Sequence, residues 1–286
     1  MTAVILDGLV LGLQFGLLGV GLTIVYGMGG VLNLAYGPMA VASAIMISVT
    51  MRWGVPAGPA VLLGLLTGAG LGLLLNVTIM RPVYRRQGED RVLLSLLLTI
   101  GVAFIINGYL QWQLPIEALS LSIGGDAIPI LGVPMRTGSL LASAITIAAG
   151  GGLLVFFRRT TTGRSVRSVI QDEVGARLCG VSPAAVRMLI FTLSGAIAGL
   201  VAVTRSMSSP VPVTEGFNLT ILALLVTVVG GLGSIRGAFL AGLILGVVNA
   251  FSSFYIGSYI TTIVLLLAAA LTILLRPSGL FGEHPT

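Results

Sequence analysis

Apolar runs about as long as a bilayer is thick alternate along this chain with short polar stretches. They fall at 8–26, 31–51, 57–80, 92–112, 139–157, 186–204 and 258–275. Between 218 and 254 the pattern is broken at Gly230, Gly231, Gly233, Ser234 and Arg236, leaving a short piece at 218–232 and a fuller one at 237–254. The pattern predicts an all-α polytopic transmembrane bundle of about eight or nine spans. It is read as one transmembrane domain over residues 1–286. If both pieces cross, there are nine spans with the N-terminus outside and the C-terminus inside; if 218–232 is re-entrant, there are eight.

Composition agrees: 56% of the 286 residues are hydrophobic and 8% charged, against roughly 25% charged in soluble domains. The formal charge is +6, which raises the question of nucleic acid. All fifteen basic residues are arginines, ten of them within Arg81 to Arg91 and Arg158 to Arg187. Basic loops beside apolar spans set orientation, because such loops resist translocation. A single aromatic residue, Tyr84, interleaves with them, too few to form a stacking platform. The segments therefore read as cytoplasmic loops, and nucleic acid is not expected as a partner. Nine spans put both loops and Arg276 inside, with Arg52, Arg136 and Arg205 standing alone outside. The N-terminal stretch lacks a basic region ahead of its apolar run and reads as a retained helix. A single cysteine, Cys179, excludes an internal disulfide, and the lone His284 has no partner at metal-ligand spacing.

Glycines recur at spacings of four, at Gly8, Gly12 and Gly16, at Gly64, Gly68 and Gly72, at Gly195 and Gly199, and at Gly242 and Gly246. In lipid such spacing predicts seams of closely packed helices. Two further glycine-rich stretches, Tyr26 to Pro38 and Val229 to Gly237, fall early in the first half and late in the second. That is the expected placement if two inverted repeats each contribute a broken helix to a central pathway. The alternative is that both are tight turns between neighbouring helices. The first also carries Asn33 and Tyr36, polar groups at membrane depth. The candidate pathway residues are Tyr26, Asn33, Tyr36, Gly37, Gly231, Gly233 and Ser234.

No carboxylate or histidine lies in the interior of these spans, which weighs against a proton-coupled carrier and leaves nothing from which to assemble a triad or metal-hydrolase site. The absence of lysine excludes a P-loop, whose lysine must reach the β and γ phosphates. A motor driving this chain would be another polypeptide, docking on the inner face.

The longest inner loop, 158–187, is too long for a simple connection. From Ser165 to Leu178 it holds good helix formers, with Val166, Val169, Ile170 and Leu178 in a loose helical pattern. Gly163 precedes this stretch and Gly180 follows it as a stop. Ser182 before Pro183 predicts the start of the next helix. The segment is either a short amphipathic helix that lies on a partner or a solvated loop.

Gly163-Arg164, Asp172, Ala176 and Gly180-Val181, followed by Phe191 to Gly199, resemble the coupling-loop signature of LivH-type permeases in branched-chain amino acid ABC importers. Tyr26-Gly27, Leu32 to Gly37, Arg81-Pro82-Val83, Gly230 to Gly237 and Arg276 to Gly282 resemble the same family, in the same order, over nearly the whole chain. The resemblance implies a transport subunit that does no chemistry. It would work with a second, LivM-like permease, two ATPase subunits that bind ATP and magnesium, and an extracytoplasmic solute-binding protein.

In that scheme Gly163, Arg164, Asp172, Glu173, Ala176, Gly180 and Val181 couple the chain to the ATPase, and the two glycine-rich stretches lie near the path. Tyr36 stands where the family often has histidine, so urea or short amides are an alternative cargo. An ion-coupled carrier or channel and a membrane scaffold are the rival classes.

Overall fold

The computed structural model describes residues 1–27, 30–86, 88–121, 127–130, 132–276 and 278–281. Met28, Gly29, Pro277, Gly282 and His284, which belong to segments singled out above, lie outside the described residues. The helices, in order, are α1 Thr2–Gly27, α2 Tyr36–Arg52, α3 Ala57–Leu75, α4 Arg81–Val83, α5 Gly88–Gln113, α6 Thr137–Arg159, α7 Thr161–Gln171, α8 Glu173–Leu178, α9 Pro183–Ser208, α10 Gly216–Gly230, α11 Ile235–Tyr255 and α12 Ser258–Leu275. A π-helical stretch, Asn76–Met80, joins α3 to α4. Two small antiparallel pairs cap one end: β1 Ala118–Leu119 with β4 Val211–Pro212, and β2 Ile128–Ile130 with β3 Val133–Met135.

Among the described residues, seven helical stretches are long and apolar enough to cross a bilayer, among them Val213–Gly230, which reaches that length only with the 3-10 turn ahead of α10. The apolar α2, with 17 residues, falls short, as does the described part of the last helix, Ile260–Leu275. The chain is a multi-pass membrane protein, a polytopic helical bundle.

The glycine spacings become two seams. Gly8, Gly12 and Gly16 of α1 face Gly242 and Gly246 of α11, so closely that a Cβ on Gly12 would lie 2.8 Å from the Leu243 Cα. On the other side, Gly68 and Gly72 of α3 face the backbone of α9 at Gly195 and Phe191, Gly199 of α9 rests on the backbone of Gly64 and Leu65, and Gly64 itself faces Ile47 of α2. Without a hydrophobic force between helices in lipid, this closeness supplies the van der Waals contact that holds them. Hydrogen bonds knit the rest. Gln14 Nε2 donates to Ser208 Oγ (2.8 Å), Ser194 Oγ to the Gly21 carbonyl (2.7 Å) and Thr227 Oγ1 to the Gly19 carbonyl (3.1 Å). All of them involve α1, the central helix of the bundle.

The second predicted span begins at 36 rather than 31. Asn33 Oδ1 accepts from the Ala35 N–H (3.1 Å), an Asx turn that ends the extended stretch and starts α2. The unwound backbone is satisfied by neighbours: Leu32 N–H donates to Ser95 Oγ (3.2 Å), Leu34 N–H to Thr99 Oγ1 (3.1 Å) and Gly37 N–H to Thr220 Oγ1 (3.0 Å). Irregular backbone at this depth survives only with such partners.

The helix expected over Ser165–Leu178 is two helices. Asp172 breaks it, adopting an extended backbone and capping α8 through a bond from Val174 N–H to its Oδ1 (2.9 Å). Short polar side chains compete in this way with helix continuation. Gly163 lies inside α7, where Thr160 Oγ1 caps its N–H (3.0 Å). Gly180, at φ +81°, ends α8, and Val181 N–H reaches back to the Ala176 carbonyl (2.9 Å) in a Schellman-type stop. The Ser182 cap and Pro183 start α9 as expected.

Candidate functional site

The two glycine-rich stretches meet at one place. A Cβ on Gly27 would stand 3.5 Å from the Gly233 Cα, so the end of α1 rests against the turn between α10 and α11. Gly231 and Gly233 have φ of +101° and +90°, a conformation open to glycine and strained for other residues. Ser234 caps α11 by accepting from Gly237 N–H (3.1 Å). Around this junction lies a cavity of about 860 Å³. Tyr26, Gly27, Gly233 and Ser234 line it, and so do Val166, Val169 and Glu173 of the loop after α6. Residues assigned from sequence to a pathway and to a coupling loop thus share one space.

The remaining pathway candidates, Gly231, Asn33, Tyr36 and Gly37, do not line it, and Gly231 is buried against Gly279. Asn33 is buried, its amide engaged in the Asx turn and in a 3.6 Å contact from Nδ2 to Met39 Sδ. Tyr36 is fully buried at 0% exposure, its hydroxyl against Gly21 and without a hydrogen-bond partner among the described residues. Gly37 is packed against Gly216 and Thr220. These three belong to the packed interior beside the junction.

The coupling-loop candidates divide by face. Val166, Val169 and Ala176 are buried. Ile170, Val174 and Leu178 are 49%, 67% and 85% exposed, leaving apolar side chains uncovered across both short helices. Arg164, Asp172 and Gly180 are at the surface.

Sequence reasoning missed how this segment is tied to the membrane helices. Glu173 forms ion pairs with Arg177, one turn on, and with Arg187 of α9. Arg187 is only 8% exposed, and its guanidinium carbon lies 3.9 Å from the centroid of the Tyr84 ring, just past α4. The arginine is thereby held by a carboxylate on one side and an aromatic face on the other. Burial pushes the Tyr84 hydroxyl well above its ordinary pKa, so it stays neutral. A lone Arg187 five residues after the Ser182 cap was the available signal. Its partner, fourteen residues upstream, has no helical spacing to betray it.

The opposite end corrects the picture of solitary outer arginines. Arg52 pairs with Glu117, which also accepts from Ser48 Oγ (3.1 Å), and Arg205 stands 3.7 Å from Glu215. Arg136 lines a separate cavity of about 620 Å³ together with Asp7 and Asn249.

The profile of the family described as "Branched-chain amino acid transport system / permease component" matches residues 4–275. The chain is 27% identical to the high-affinity branched-chain amino acid transport system permease protein LivH of Escherichia coli, over 97% of this chain and 94% of that protein. It is 28% identical to the corresponding BraD of Pseudomonas aeruginosa, over 98% and 95%. Among solved structures, PsaBC from Streptococcus pneumoniae superposes with a TM-score of 0.51 at 12% identity, covering 95% of this chain and 91% of that one. At that identity the likeness concerns the fold alone.

Proposed function

The chain belongs to the family of branched-chain amino acid transport system permease components, and from that premise we propose that it forms part of the membrane path of an ABC importer for branched-chain amino acids. It does no chemistry on its cargo. Separate ATPase subunits, two in number, bind ATP and magnesium and seat on α7 and α8. A second, LivM-like permease completes the path, and an extracytoplasmic binding protein delivers the solute. The amino acid cargo, in preference to urea or short amides, rests on the proteins that resemble this one along nearly their whole length.

The observation that carries the reading is the uncovered apolar row Ile170, Val174 and Leu178 on a segment bound back to α9 through Glu173 and Arg187. Outside a membrane, such a row on two short helices is an interface waiting for a partner. Because the chain has no lysine, that partner must bring the P-loop. When the ATPases move, Glu173 and Arg187 carry the displacement to α9, and the stacked Tyr84 carries it to the end of the α3–α4 stretch. Tyr26, Gly233 and Ser234 form the inner mouth that this movement opens, Gly231 supports the turn from behind, and Asn33, Tyr36 and Gly37 form the fixed wall beside it.

The test is reconstitution with the partner subunits. Val174→Asp with Leu178→Asp puts charge into the apolar row, and ATPase co-purification should drop about tenfold or more, since each buried charge costs several kcal/mol. The permease should keep its folded elution profile, because both side chains are exposed. Undiminished ATPase capture would overturn the docking assignment, and solute uptake by the purified single chain in liposomes would overturn the ABC reading itself.

A further inference from the structure

The cavity at the junction has a second property, which the transport reading does not use. Arg158, Arg167 and Arg236 line it from α6, α7 and α11 and are all exposed. Among the described residues its one lining carboxylate, Glu173, is already shared between Arg177 and Arg187. Among the described residues no carboxylate pairs with any of the three arginines; Arg167 donates to the Phe157 carbonyl, which leaves its charge uncompensated. The rim is therefore strongly positive, and it lies at the end that arginine placement assigns to the cytoplasmic leaflet.

Below the rim the walls are apolar, with Ile24, Leu154 and Phe157 inside. From there α6 and α11 approach one another chiefly where Phe239 is held between Gly16 and Gly150, ring carbons standing 3.1 Å and 2.7 Å from Cβ positions built on those glycines. Nothing lies within 4 Å of a Cβ at Gly151, and Val155 of α6 and Leu240 and Ile244 of α11 are exposed. A positive rim thus opens into an apolar furrow along the membrane-facing side of two spans. A soluble anion would satisfy the rim and leave the furrow empty. An amphiphile with an anionic head satisfies both, as in basic pockets between helices at the cytoplasmic surface.

We propose that this cavity binds an anionic phospholipid of the inner leaflet, its phosphate among Arg158, Arg167 and Arg236 and an acyl chain along the furrow between α6 and α11. Val166 and Val169 of α7 form one wall, so the bound lipid braces the segment on which the ATPase is proposed to sit. The site stands whether or not the cargo is an amino acid.

Native mass spectrometry of the full chain in detergent, titrated with phosphatidylglycerol or phosphatidylcholine, tests it. Phosphatidylglycerol should bind about tenfold more tightly, and Arg158→Gln, Arg167→Gln and Arg236→Gln together should abolish that preference, whereas Arg136→Gln at the other end should not. Gly151→Trp, which meets open space, should weaken phosphatidylglycerol binding by blocking the furrow with every charge in place. Equal binding of the two lipids, or an unchanged preference in the triple variant, would overturn the proposal. So would ready displacement of the lipid by inorganic phosphate, which would make the site one for a soluble anion, or by added ATPase, which would make the rim part of that interface.

Discussion

The two glycine-rich interruptions look alike in sequence and are built in opposite ways. Between α1 and α2 the unwound backbone borrows its partners from outside: Ser95 and Thr99 of α5 and Thr220 of α10 take the N–H groups of Leu32, Leu34 and Gly37. Between α10 and α11 the turn satisfies itself, with Ser234 N–H on the Gly231 carbonyl (3.0 Å) and Ser234 Oγ on Gly237. The first is locked to two other helices and packed over; the second is anchored on one side, where Leu280 N–H bonds the Val229 carbonyl (2.9 Å), and open to the cavity on the other. A segment satisfied by its neighbours cannot move without them. One that closes on itself can hinge, and this one shares its cavity with α7, on which the ATPase is proposed to sit.

The largest effect should follow from stiffening the hinge. Gly233→Val puts a β-branched side chain at φ +90°, which costs about 2 kcal/mol and restricts the turn. Uptake in reconstituted vesicles should fall at least about tenfold, well beyond what the lost stability explains. Uptake in proportion to folded protein would mean that the turn is as static as the first interruption.

Next comes removal of an outside partner from the first interruption. Thr99→Val deletes the hydroxyl that accepts from Leu34 N–H and leaves a partly buried donor unpaired, at about 1 kcal/mol. Thermal unfolding in detergent should register this loss, with uptake per folded chain unchanged. A variant of full stability and poor uptake would transfer the moving part to this side.

Ser234→Ala should cost no more, about 1 kcal/mol for the lost cap of α11, with a partial fall in uptake because the cap and the hinge share the residue. A full loss of uptake at normal stability would give the hydroxyl a role with the solute.

Much of this was legible beforehand, for identifiable reasons. Apolar run length fixed the helices, and glycine spacing fixed both seams, because in lipid small residues have little other use than close approach. The Ser182–Pro183 start and the Gly180 stop carry local chemistry that reads directly. What escaped depends on contacts between distant residues. Asp172 could continue a helix or cap the next, and the Val174 N–H decides it. Asn33 and Tyr36 looked like pathway groups because polar residues at membrane depth usually face a cavity. Here one spends its oxygen on a local turn and the other is packed against Gly21. The junction of Gly27 with Gly233 and the Glu173–Arg187–Tyr84 contact join segments between which no periodicity runs.

Tyr36 gives the smallest effect and the sharpest discrimination. Its hydroxyl is buried against Gly21 without a partner among the described residues, so it contributes the cost of a desolvated polar group and no bond in return. Tyr36→Phe should therefore leave the fold intact or raise its stability by up to about 1 kcal/mol, and uptake should stay within about twofold of the parent, since the ring that fills the space is retained. Gly21→Ala, by contrast, would drive a methyl group into that ring and should destabilise the chain. If Tyr36→Phe instead lost most uptake while melting at the parent temperature, the hydroxyl would have to meet the solute in a conformation where α2 has moved away from α1. The first interruption would then be a moving element as well, and the contrast between the two would fail.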